Sequence, residues 1–133
     1  MDNPTLYKFN LEIYPIKIWI AYKTDKAFIT GCFFEDDNFA ELEGEHDAIT
    51  FFNVKSQPDQ KRYGIMVYFN ETNINTIAHE VSHVVDGICH CCRLEHDSKE
   101  PNEHIAYLQG YLMEKFVTQI NRFKTTEQWQ HQK

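Results

Sequence analysis

Thr76-Ile77-Ala78-His79-Glu80-Val81-Ser82-His83-Val84-Val85 is the stretch on which the reading of this 133-residue chain turns. Thr76, Ile77 and Ala78 before the central five residues, and Val84 and Val85 after them, are small or apolar. They supply the buried side of a helix expected from about Asn73 to Cys92. Asn70, Thr72, Asn73 and Asn75 offer N-cap side chains just upstream. On such a helix His79 and His83 stand four residues apart and share a face. Their neutral imidazoles can both reach one divalent ion. Glu80 follows the first histidine, near enough to hold a water on such an ion without ligating it.

His-Glu-x-x-His on a helix is a zinc-hydrolase pattern in which the glutamate is the general base. Two histidines hold zinc poorly, because a catalytic zinc usually takes three protein ligands and keeps one position open. The third is expected from a second helix, Glu103-His104-Ile105-Ala106-Tyr107-Leu108-Gln109-Gly110-Tyr111-Leu112-Met113. Pro101 and Asn102 make a sensible start for it. Glu103, Ala106, Tyr107 and Gly110 share one face by spacing, and the small Ala106 and Gly110 predict close packing on the first helix. Glu103 is the preferred ligand. Glu100 is the rival, but it precedes Pro101 and so is expected outside the helix. Glu103 could instead be an acid that complements the helix dipole.

His79-Glu80-x-x-His83 followed by Glu103-x-x-Ala106 resembles the gluzincin arrangement of small zinc peptidases. With the run Tyr107-Leu108-x-Gly110-Tyr111-Leu112, it is similar to the ImmA/IrrE-type peptidases, which cleave repressors of mobile elements. It is more similar to a set of short phage and prophage proteins classed as metallopeptidases. The resemblance covers about Arg62 to Leu112. It implies a zincin-like fold, one Zn2+ per chain held by His79, His83 and Glu103, and Glu80 as base. One departure is that Tyr107 stands where many gluzincins carry an Asp that orients a zinc-bound histidine.

The expected activity is endopeptidase hydrolysis of a protein or peptide. Most gluzincins add a second electrophile, for which Tyr107, Tyr111, His104, His96 and Arg93 are candidates. Tyr107, one turn after the ligand, is the first choice; it could also hydrogen-bond a zinc ligand or be a core aromatic. Asp86 and Tyr111 are expected to brace ligands from outside. The alternative function is a non-catalytic zincin-fold module that binds proteins and keeps zinc as a structural pin.

Thirteen basic and twenty acidic side chains give a net charge of −7. That disfavours a nucleic-acid partner, which calls for clustered Lys and Arg, and none is expected. Met1-Asp2-Asn3-Pro4-Thr5 lacks the basic and apolar regions of a signal peptide, and no apolar run is long enough to span a bilayer. Three of the four cysteines crowd into Cys89-His90-Cys91-Cys92, with Cys32 apart. Such spacing suits free thiols in a reducing cytoplasm, a host cell's if the chain is phage-encoded, better than a disulfide framework. It is also too tight for a second zinc site completed by His96.

Upstream, strands are expected at Leu6–Ile13, Ile16–Tyr22, Lys26–Phe34, Ala48–Lys55 and Tyr63–Phe69. In Ile16–Tyr22 the isoleucines and Tyr22 take one face, Lys17, Trp19 and Ala21 the other. Strands followed by two helices predict an α+β fold, a small and mostly antiparallel sheet packed on both helices. One domain spans residues 1–123, and residues 124–133 form a polar tail. By resemblance, Gly64-Ile65-Met66-Val67 lies on an edge strand to which a substrate adds as an extended peptide. An ordinary paired strand is the other reading of that segment.

Overall fold

The computed structural model describes residues 5–11, 14–32, 46–52, 54, 64–94 and 102–131. They form an α+β fold with a mixed four-stranded sheet. Two compact units divide at the start of the histidine helix, Met1–Thr72 and Asn73–Lys133.

In the first unit, β1 (Leu6–Asn10) pairs antiparallel with β2 (Lys17–Tyr22). Pro15 lies in the connection, which the Leu11 N–H closes onto the Ile16 carbonyl at 3.1 Å. β2 pairs parallel with β4 (Gly64–Phe69), and β4 pairs antiparallel with β3 (Ala48–Phe51). The order β1-β2-β4-β3 therefore puts β2 and β4 in the middle. Their near-continuous apolar composition follows from burial on both faces, as central parallel strands require. On one face Trp19, Ala21, Met66 and Tyr68 pack with Phe51, Val54 and Ile29. On the other Ile18, Ile20, Ile65, Val67 and Phe69 are wholly buried. The two-sided alternation expected for β2 is thus present.

Two expectations in this unit are corrected. Lys26–Cys32 is a helix, α1, not a strand. Asp25 starts it, its carboxylate accepting from the Ala27 N–H at 3.2 Å and its carbonyl from the Ile29 N–H at 3.1 Å. A Thr24-Asp25 cap ahead of Lys26-Ala27 outweighs the strand preference of Phe28, Ile29 and Thr30. The second correction concerns Gly64, Ile65, Met66 and Val67. They lie on an interior strand, flanked by Lys17–Tyr22 and by Ala48–Phe51, with the Val54 N–H bonded to the Gly64 carbonyl at 2.9 Å. β4 therefore offers no free edge to a substrate strand. Its wholly buried, hydrophobic sequence is that of a central strand.

Gly64 is required by contact. A Cβ there would lie 2.3 Å from Trp19 Cζ3 and 2.8 Å from the Val54 carbonyl oxygen. Gly64→Ala is expected to cost about 1–3 kcal/mol through overpacking, read as a lower urea midpoint at unchanged m-value. An unchanged midpoint would mean that the indole gives way freely. On the same face the Tyr68 hydroxyl donates to the Thr24 carbonyl at 3.2 Å, and burial, reinforced by the Asp25 charge, pushes its phenol pKa up.

The second unit is a pair of helices, α2 (Ile74–Cys92) and α3 (Glu103–His131), packed on one another. Asn73 caps α2, its side-chain oxygen accepting from the Thr76 N–H at 2.8 Å. Arg93 ends it in the left-handed conformation, φ 55°, and its N–H bonds back to the Cys89 carbonyl. These ends match the expected Asn73-to-Cys92 helix closely. In α3, Leu108, Leu112, Phe116, Gln119, Ile120 and Phe123 are buried at spacings of three and four. The helix continues through most of the segment expected as a polar tail, to His131. Lys124, Glu127 and Gln128 are good helix formers, so polarity there marks exposure, not the loss of helix. No helix among the described residues is long and apolar enough to cross a membrane.

Candidate functional site

His79 and His83 lie on the exposed side of α2. Their Nε2 atoms are 3.2 Å apart, and the rings meet edge to face with centroids 4.8 Å apart and planes at 81°. One ring can donate its N–H to the other's lone pair, which orients both. A tetrahedral zinc with bonds of about 2.0–2.1 Å to nitrogen needs two such atoms roughly 3.3 Å apart. The pair already has that separation, so its donors fit two ligand positions.

Glu80 occupies a different face. It is only 5% exposed and falls on the buried stripe with Ile77, Val81, Val84, Val85 and Ile88. A buried carboxylate is tolerable only with polar partners. Among the described residues no buried side-chain nitrogen or oxygen lacks one. The helix backbone thus holds the glutamate beside the histidines in sequence, but roots it on the buried side.

Glu103 stands in the first turn of α3 and is exposed. The Asn102 carbonyl accepts from the N–H groups of Ile105 and Ala106 at 3.0 and 3.1 Å, with Asn102 itself at φ 54°. Asp86 is exposed on α2, on the histidine side of the helix by spacing. Among the described residues no three His, Cys, Asp or Glu side chains come together as a group able to hold a metal. The structure therefore brings His79 and His83 together and does not bring Glu103 or Asp86 to them. Glu100 and His96 lie outside the described residues.

The face of α3 expected to pack on α2 is corrected. Glu103, Ala106, Tyr107 and Gly110 are all exposed, and a Cβ on Gly110 would meet nothing within 4 Å. Tyr107 is 77% exposed, which removes the core-aromatic reading and leaves its hydroxyl accessible. Tyr111 is 40% exposed, with the Lys115 ammonium 5.7 Å from its ring centroid. The signal for the true packing face was present in the Leu108, Leu112, Phe116, Ile120 and Phe123 series. His104 is exposed beside Glu103.

One feature that the motif did not point to lies at the other end of α2. Cys89, His90, Cys91, Arg93 and Leu94 line an open concavity of about 660 Å3.

No protein-family model, no curated protein and no solved structure matches this chain.

Proposed function

We propose that this chain is a zinc-dependent peptidase of zincin-like construction, with His79 and His83 as two zinc ligands and Glu103 as the third. The observation that supports it is the 3.2 Å separation of two exposed Nε2 atoms, close to the tetrahedral edge of a zinc site. Zinc bound there would supply a Lewis acid that acidifies water and polarises a carbonyl. The remaining chemistry belongs to the chain. Glu80 accepts the proton of the attacking water and returns it to the leaving amine. Because Glu80 is rooted on the buried stripe, its carboxylate has to reach round to the histidine face to do so. Glu103, exposed in the first turn of α3, would be the third donor. Tyr107, exposed four residues further on, supplies a hydroxyl to the substrate carbonyl as charge develops. The substrate is a protein or peptide segment.

A second reading, a protein-binding module with zinc as a pin, is favoured by the burial of Glu80 and by the absence of a third donor at the pair among the described residues. The two part on metal-dependent turnover. The enzyme reading predicts that the purified protein cleaves an unfolded protein substrate, loses that cleavage on chelation and regains it with added zinc. Zinc uptake without cleavage, over a range of unfolded substrates, favours the module.

A further inference from the structure

His79 and His83 are two donors on an exposed helix face, and a zinc ion asks for more than two. Their Nε2 atoms stand 3.2 Å apart, close to the edge of a tetrahedral zinc site, about 3.3 Å. Within one chain the described residues bring no third His, Cys, Asp or Glu to that point. Ser82 and Asp86 share the face with the histidines by helical spacing, and all four are exposed. Ser82, between the two imidazoles in sequence, is too short to stand over them.

A second copy of the same chain supplies what is missing. Closed homo-oligomers most often form on a two-fold axis, where one patch meets itself. A patch with two donors then presents four, the full count of a closed tetrahedral zinc shell. Charge supports the same pairing. Four neutral imidazoles leave the dication uncompensated. Asp86, one turn beyond His83, is exposed on the same face, so two copies bring two negative charges to balance it. Without the ion the copies repel, because each carries a net charge of −7. Association on this face therefore depends on the metal.

We propose that two copies of this chain share one zinc ion through His79 and His83 of each, and that this shared site is the resting form of the protein. This form rests on the histidine pair being a zinc site, as in the peptidase reading, and not on catalysis. Each ring offers its Nε2 lone pair and keeps its proton on Nδ1. Four nitrogens fill the shell, whereas a catalytic zinc keeps one position open for water. The shared form is therefore closed to the chemistry of the single chain. Glu103 takes no part in it. When zinc is plentiful, each pair takes its own ion with Glu103 as the third donor, and the copies separate. Zinc supply relative to chain thus sets which form is present.

The test is sedimentation velocity of the full chain, freed of metal and titrated with zinc chloride. The expected result is a rise from single-chain mass to twice that mass, greatest near one zinc per two chains, and a return toward single-chain mass in excess zinc. His83→Ala should stay at single-chain mass throughout; the side chain is exposed, so the fold is kept. Glu103→Ala should double as the parent does and hold the doubled mass further into excess zinc, because only separation draws on Glu103. Asp86→Asn should need several-fold more chain to pair. Single-chain mass at every zinc level, a doubled mass without zinc, or doubling that survives His83→Ala would overturn the proposal. A single chain that binds zinc and cleaves an unfolded substrate would remove the shared site and leave the peptidase reading standing. Zinc-dependent doubling with no cleavage at any zinc level would do the reverse.

Discussion

Replacing Glu80 by glutamine is expected to lower peptide hydrolysis by about 10²–10⁴-fold, the usual contribution of a positioned acid–base group. Glutamine has nearly the same shape and keeps an oxygen that can accept hydrogen bonds, so it suits the buried stripe with Ile77, Val81 and Val84. It cannot take the proton of an attacking water at neutral pH. Zinc content should stay as in the parent chain, because Glu80 is not a ligand in this account. The measurement is the initial rate on an unfolded protein substrate at saturating zinc, beside metal content and thermal midpoint. A rate within two- to three-fold of the parent would remove Glu80 from the mechanism. A large fall in midpoint with no separate loss of rate per folded molecule would make Glu80 a structural acid.

The second large effect is on stability. Phe116→Ala is expected to cost about 3–5 kcal/mol, the loss of a fully buried aromatic plus the cavity it leaves. Phe116 is 0% exposed on α3, between the buried Leu112 and Ile120. Against a typical total of about 5–15 kcal/mol, that is a substantial part of the fold's stability. Tyr107→Ala, nine residues earlier on the same helix, should change stability by only about 0.5 kcal/mol or less, because its ring is 77% exposed. Urea unfolding of both variants reads the contrast. Equal costs would mean that the packed face of α3 is not the one described.

Much of the second unit was legible because its signals are local. An Asn cap, a stripe of Ile and Val at helical spacing and two histidines one turn apart are set by α2 alone, and its ends fall where the sequence puts them. The packed face of α3 is not legible from its small residues, because Ala106 and Gly110 permit close packing without driving it. The longer Leu-Leu-Phe-Ile-Phe series carried more apolar area and decided the matter. In the first unit the strands were legible from β-branched and aromatic runs, but their neighbours were not. Nothing within Gly64–Phe69 says that Lys17–Tyr22 will lie parallel beside it, since pairing depends on residues more than forty positions away. Whether such a strand is central or an edge is therefore not legible from its own residues. The helix at Lys26–Cys32 turned on a single cap, Asp25, at a place where side-chain preference favoured strand. In the site, the motif placed both histidines. It did not specify that Glu80 would sit on the buried stripe, because one residue along a helix turns about 100° from the histidine face.

The most direct test of the central claim is the zinc content of the purified chain, equilibrated with zinc at neutral pH and then freed of excess, beside His83→Ala and Glu103→Ala. The expected result is about one zinc per chain, abolished in His83→Ala and clearly weakened in Glu103→Ala. A chain that holds no zinc, or that holds it equally well without His83, would contradict it.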